Sequence, residues 1–250
     1  MIFIYVVKHM EKNKRLKKLV AMVMLGIVLG IYSYFNEYFE NTAEDIYTDN
    51  LAYYDLSNIP EYNGNIYVEI NNNVPNFTSE DMNIKQDYYT SLKNGKVGMA
   101  MIKTSFKKAG LDDKKDSYSH ITPSGFEQKK YNTNIVPGGY LYHRCHVIAW
   151  KLGGKDTDER NLITGTQSFN VMGMKKFEDM VYDYLKENKS NHVLYRVTPF
   201  FEENNELASG VNIEAYSIED NGKLKFNVYV YNVQEGIDID YTTGKSNLKK

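Results

Sequence analysis

Apolar and polar positions alternate in several short stretches of the chain and switch to a helical period in one. Residues 66–70, Ile-Tyr-Val-Glu-Ile, make a strand closed by Asn71-Asn72-Asn73 and Pro75. Ser79-Glu80-Asp81 opens a helix. Residues 98–102 are a continuous apolar run, a buried strand, and residues 103–130 are a lysine-rich surface segment. Residues 140–150 read as a strand, and residues 161–164 as a second. Between them Leu152-Gly153-Gly154-Lys155-Asp156 is a turn-rich break. From about Ser168 the period changes: Phe177, Met180, Val181, Tyr184 and Leu185 recur at helical spacing, up to a stop near Lys189-Ser190-Asn191. Residues 192–199 alternate again. Residues 210–219 and 224–233 flank Asp220-Asn221-Gly222-Lys223, a hairpin signal because Asn and Gly both tolerate positive φ. The pattern predicts an α+β domain with a mixed or antiparallel sheet, beginning near Ile59-Pro60.

The N-terminal pattern is different. Residues 8–18 are basic, with Lys8, Lys12, Lys14, Arg15, Lys17 and Lys18 against Glu11. Residues 19–35 carry no charge and are mainly apolar, short for a spanning helix and long for a signal core. A basic flank followed by an apolar run predicts the N-terminus inside and the domain outside. No small-x-small cleavage site stands out between residues 31 and 40, which favours an uncleaved anchor. The expected organisation is a cytoplasmic basic tail (1–18), a transmembrane anchor or signal segment (19–35), a polar linker (36–58) and a domain (59–250). The location is then the cell membrane, single-pass with the C-terminal domain extracellular, or secreted if the segment is cleaved. Met10-Glu11-Lys12 resembles a true start, so translation is expected to begin at Met10; an intact Met1 peptide in a mass spectrum would exclude that.

Charge narrows the partners. The formal net charge is −2, and the arginines are Arg15, Arg144, Arg160 and Arg196. Six basic residues lie in the tail, so the domain is more acidic than the whole chain. That argues against tight, processive or sequence-specific nucleic-acid binding and predicts salt-sensitive contacts. The single cysteine excludes an intramolecular disulfide framework.

Candidate chemistry concentrates between residues 142 and 178: His143, Arg144, Cys145 and His146, then Asn161, Asn170 and Glu178. A neutral His takes a proton from water near pH 7. An Asn carbonyl suits a Mg²⁺ that keeps most of its waters, and a Glu can hold those waters. Arg offers a planar fork to phosphate oxygens. Asn170 and Glu178 are eight residues apart, about 800° around a helix, so they differ by roughly 80° and share a side. Other readings stand beside these. His143 and His146 have the spacing of a zinc half-site, although residues three apart on a strand face opposite ways. Asn161 also suits a turn, Asn170 a helix N-cap, Glu178 a solvated charge, and Cys145 a small buried residue. His192 and Arg196 suit the core or a sheet edge.

This stretch resembles the DNA/RNA non-specific endonuclease family, the ββα-metal (His-Me finger) nucleases, in a branch of secreted or surface DNases common in Gram-positive bacteria. The commonest motif of that family is Asp-Arg-Gly-His, later an Asn, a second Asn nine residues on and a Glu eight further. Here the positions are His143-Arg144-Cys145-His146, Asn161, Asn170 and Glu178. The resemblance covers roughly residues 58–246. It implies a ββα-metal finger in which His146 is the general base, Arg144 steadies the phosphate and Asn161 supports the active site. Asn170 would be the protein ligand of Mg²⁺, with Mn²⁺ as an alternative, and Glu178 an outer anchor of the metal's waters. The implied reaction is hydrolysis of phosphodiester bonds in DNA, with RNA as a second substrate, leaving 5′-phosphate ends. The implied partners are nucleic acid and, through the N-terminal segment, the membrane, with no specific protein partner.

Two positions depart from the motif. His143 and Cys145 stand where Asp and Gly are commonest. Tyr182 stands where some members place a phosphate-binding Arg, so Lys175 or Lys176 is expected to supply a second phosphate contact. These departures and the acidic balance also fit a surface module that binds DNA without cutting it. A toxin nuclease with an immunity partner is the remaining alternative.

Overall fold

The computed structural model describes residues 59–84, 88–93, 96–109 and 117–250, and isolated positions between residues 22 and 33. Contacts divide the chain into residues 1–58 and residues 59–250. The basic tail, the linker, Met10 and most of the apolar run 19–35 lie outside the described residues. The described positions of that run, among them Met22, Leu25, Leu29 and Ile31, are helical and exposed. Among the described residues no helix is long and apolar enough to cross a membrane.

In the second unit the elements are β1 (Tyr67–Glu69), α1 (Ser79–Met82), β2 (Tyr88–Lys93), β3 (Lys96–Ser105), β4 (Tyr142–His146) and β5 (Leu162–Thr166). A π-helical turn (Phe169–Met174) runs into α2 (Lys175–Glu187). Then come β6 (His192–Phe200), β7 (Gly210–Ser217), β8 (Lys225–Tyr231), β9 (Ile237–Ile239) and β10 (Ser246–Leu248). The main sheet has the order β1-β8-β7-β6-β3-β2, with β4-β5 and β9-β10 as separate two-stranded sheets. Every pairing is antiparallel.

Of the five periodic positions, the helix α2 buries Phe177, Val181 and Leu185 in one cluster with Tyr195, Ile213, Phe226 and Val228 of the sheet, Tyr184 packs on that cluster partly buried, and Met180 is exposed. Each buried side chain contributes about 1.5–3 kcal/mol by leaving water. Phe177 meets Tyr67 edge-on and Phe226 at a tilt, with centroids 5.0 and 5.1 Å away. Cys145 and Ile163 carry β4 and β5 into the same cluster, so the two-stranded sheet and the helix share one core. The hairpin between β7 and β8 turns through Asn221 and Gly222, both at positive φ (57° and 80°). Arg196 lies inside the fold: Nε donates to Glu214 at 2.8 Å and Nη2 to the Asn76 carbonyl at 2.7 Å.

Several sequence-based boundaries shift. The strand expected over 140–150 ends at His146, because Ala149-Trp150 turns into a 3₁₀ turn (Trp150–Leu152). Asn161 closes a second 3₁₀ turn (Glu159–Asn161), and the strand begins one residue later. The segment expected as surface from residue 103 starts inside β3. The helix after Ser168 begins with π geometry, where about 4.4 residues make a turn. From Asn170 to Glu178 the chain then advances roughly 730°, close to two full turns, instead of the 800° of a regular α-helix. That rotation puts the two positions on the same side, and both residues line one cavity.

Candidate active site

Along β4 Tyr142 and Cys145 are buried, while His143, Arg144 and His146 are partly open, so the strand carries polar side chains on both faces. His146 lies at the end of the strand and Asn170 at the second position of the π turn. Arg144, His146, Asn170 and Glu178 line one cavity of about 280 Å³. Tyr118, Lys151 and Lys175 complete its polar wall. A second cavity of about 480 Å³ shares Tyr118, Arg144 and Asn170 and adds His143, Phe126 and Tyr140, so the two form one groove across the end of β4.

Each member of the group is held by its surroundings. Arg144 donates from Nε to the Ile121 carbonyl at 2.6 Å, and its guanidinium lies 4.4 Å over the Phe126 ring. The fork is therefore fixed along its stem before any ligand arrives. Asn170 Nδ2 lies 2.9 Å from His143 Nδ1. An amide nitrogen only donates, so Nδ1 of His143 accepts and carries no proton. Burial agrees, since it holds the His143 pKa below its ordinary value. Glu178 faces Lys151, Oε2 to Nζ 3.9 Å. Lys151 and Lys175 both also reach Asp179.

The ring of His146 is enclosed on two sides. Tyr118 meets it edge-on, centroids 4.6 Å apart. Its Nε2 lies 3.0 Å from Oδ1 of Asp156. The Tyr118 hydroxyl pKa is raised, first by burial and then by the charge of Asp156. Asp156 is only 7% exposed. Neither of its carboxylate oxygens has a well-aligned hydrogen-bond donor among the described residues.

Asn161 does not line the cavity; it is fully buried and ties down the loop behind it. Its Oδ1 accepts from Ile148 N at 2.8 Å, and its Nδ2 donates to the Ile148 and Lys155 carbonyls, both at 3.0 Å. The loop runs from Ile148 to Lys155-Asp156 and is drawn together by this amide and by the backbone bond from Gly154 N to the Ala149 carbonyl at 3.1 Å. Gly154 is needed inside it, since a Cβ there would lie 1.9 Å from the Ile148 carbonyl oxygen.

Of the lysines expected at the phosphate, Lys175 lines the cavity, but Lys176 does not: it donates to Tyr67 Oη at 2.6 Å and stacks on that ring. Tyr182 packs against the core. Cys145 is buried against Gly165, and its thiol pKa is pushed far up, first by burial and then by the charge of Glu178. His143 and His146 line different parts of the groove, and no cluster of three or more His, Cys, Asp or Glu able to hold a metal occurs among the described residues. The two histidines therefore do not belong to a three-ligand zinc group among the described residues. A carboxamide oxygen with a nearby carboxylate instead suits a hard cation that keeps most of its water. Asp156, Tyr118 and Lys151 carried no motif spacing; only a turn-rich break marked the loop of Asp156.

Residues 72–219 match the family model described as DNA/RNA non-specific endonuclease. The chain belongs to the DNA/RNA non-specific endonuclease family. That match contains β4, β5, the π turn and α2, hence every residue of the groove named above. A curated deoxyribonuclease from Streptococcus dysgalactiae subsp. equisimilis is 33% identical over 120 residues, 46% of this chain and 34% of that protein, so the chain spans about a third of its length. The fold is similar to NucA from Streptococcus agalactiae, solved with magnesium ion bound: TM-score 0.66, 24% identity, covering 81% of this chain and 95% of that one. It is also similar to the Sda1 nuclease solved with bound zinc ion, with a TM-score of 0.56, 24% identity, and coverage of 79% of this chain and all of that one.

Proposed function

We propose that this chain is a divalent-metal-dependent endonuclease that hydrolyses phosphodiester bonds in DNA, and in RNA as a second substrate, outside the membrane that its N-terminal segment enters. The observation that carries this reading is the convergence of Arg144, His146, Asn170 and Glu178 on one cavity. Mg²⁺, or Mn²⁺, held by the Asn170 oxygen with its waters fixed by Glu178, would supply Lewis-acid polarisation of the phosphate and offset charge on the leaving oxygen. His146 acts as general base, taking a proton from the water that attacks phosphorus. Arg144, fixed on Phe126 and Ile121, binds phosphate oxygens through its terminal amino groups and offsets the charge that builds in the transition state. Lys151 and Lys175 add positive charge along the same wall. The cavity beyond Asn170 receives the flanking strand, and the modest local charge suits turnover better than tight retention.

The membrane placement rests on the basic flank before the apolar run at residues 19–35. The activity is tested on supercoiled plasmid with Mg²⁺ or Mn²⁺, with and without chelator, using the parent chain and His146→Ala. Nicking and linearisation that vanish with chelator, and fall by at least about 100-fold in His146→Ala, are expected. Parent-like cleavage by His146→Ala would remove His146 as the base. No cleavage by the parent, with DNA still bound, would favour a binding module.

A further inference from the structure

We propose that Asp156 is a positioning residue for His146: it holds the imidazole through Nε2, directs Nδ1 to the water, and stabilises the imidazolium that forms when the proton arrives. The inference rests on the reading of His146 as base and adds the residue that makes it one.

The carboxylate is placed by the fold rather than by its own element. β4 ends at His146, the loop leaves, and Asn161 draws the Ile148 and Lys155 backbone together, which returns Asp156 to the ring at the strand end. There Oδ1 lies 3.0 Å from Nε2. A buried carboxylate is costly unless it is paired. Asp156 is 7% exposed and without an aligned donor among the described residues, so its environment improves when the imidazole beside it becomes cationic. That gain appears only as the proton moves, which is where an interaction accelerates a reaction. The 3.0 Å approach of Nε2 to Oδ1 is not an aligned hydrogen bond in the resting structure; catalytic hydrogen bonds are often poorly aligned before the substrate complex and tighten in it. Once it tightens, Nδ1 is the ring nitrogen that takes the proton from water.

Among the described residues, the other charged or titratable groups around His146 are Tyr118 on its ring edge and Arg144, Lys151, Lys175 and Glu178, which line the same cavity. The five remain in an Asp156 variant, so a change confined to that variant reads the carboxylate.

The test is a pH–rate series on the full chain with the parent, Asp156→Asn and Asp156→Glu, at saturating metal. A carboxylate favours the imidazolium and raises the pKa of the base. Asp156→Asn is expected to lower the kcat plateau by at least about 100-fold, in the direction known for the serine-protease aspartate. It should also move the acid limb to lower pH, with KM changed less than about threefold. Asp156→Glu should restore part of both. A lowered plateau with an unmoved acid limb would mean a purely structural role, and parent-like rates would mean none; either overturns the proposal. A second readout needs no turnover and no variant: imidazole ¹⁵N spectra of the parent in chelator should show His146 protonated on Nε2, and a ring protonated on Nδ1 alone overturns the proposal even if the variants do not fold. Loss of activity in His146→Ala with a normal Asp156→Asn would leave the nuclease reading standing and remove only this residue. A parent-like His146→Ala would remove the reading itself.

Discussion

The imidazole of His143 and the amide of Asn170 meet at 2.9 Å, Nδ1 to Nδ2, across the gap between β4 and the π turn. Because the amide nitrogen is the donor, the Asn170 oxygen is left as the free end of the group, the end a hard cation needs. The commonest family motif has Asp at this position, and a carboxylate is also a pure acceptor. His143→Asp is therefore expected to keep activity within a few-fold. His143→Ala removes the acceptor and should raise the Mg²⁺ concentration for half-maximal rate by about 10-fold or more. A metal titration compares the three proteins.

The same contact has a pH consequence for stability. Burial lowers the His143 pKa in the folded chain, so the unfolded chain binds the proton more readily. The neutral form's contribution is fully present above the ordinary histidine value of about 6.5 and is lost as pH falls from there through the lowered folded value. Thermal unfolding followed between pH 7.5 and 5 should show Tm falling on acidification. His143→Asp should flatten that part of the curve.

Asn161 acts through the backbone. Asn161→Ala leaves the Ile148 N–H and two carbonyls behind the cavity without their partner. A cost of about 3 kcal/mol is expected, on the order of 10 °C in Tm for a domain of this size. Asn161→Asp keeps the acceptor and loses both donors, so it should fall between. Calorimetry measures both, and loss of cleavage should track loosening of the Asp156 loop.

Arg144 is fixed by a stack and a hydrogen bond at once, which Lys cannot reproduce. Arg144→Lys should keep the charge but lose at least about tenfold in kcat/KM. Phe126→Leu, which removes only the stack, should raise KM for DNA more modestly. Initial rates on one oligonucleotide separate the two.

Cys145 is buried against Gly165, and its thiol is held protonated by burial. Iodoacetamide should label it in denaturant and leave it untouched in the native protein at pH 8, measured by intact mass. Cys145→Ala should cost about 1–2 kcal/mol of stability through the cavity it leaves and should retain cleavage.

The alternating runs at residues 66–70, 192–199, 210–219 and 224–233 and the helical period of Phe177, Val181 and Leu185 were legible in the chain, because period and burial report the same face of an element. The Asn221-Gly222 turn was legible because its backbone demands residues that accept positive φ. The spacing of Arg144, His146, Asn170 and Glu178 marked the groove's wall. Other features were set by packing across distance. β2 pairs with β3 although its residues carry no clean alternation, and the strand after residue 140 stops early because the chain must turn at Ala149-Trp150. The π geometry that aligns Asn170 with Glu178 leaves no trace in a 3.6-residue period.

By itself the sequence determined which residues can do chemistry and which faces must leave water, since both are properties of side-chain type and local spacing. Only the tertiary structure decided who meets whom: His143 with Asn170, Asp156 with His146, Asn161 with the loop instead of the groove. Those contacts depend on where a loop closes and how far a helix is wound, and the energies that settle both come from groups distant along the chain.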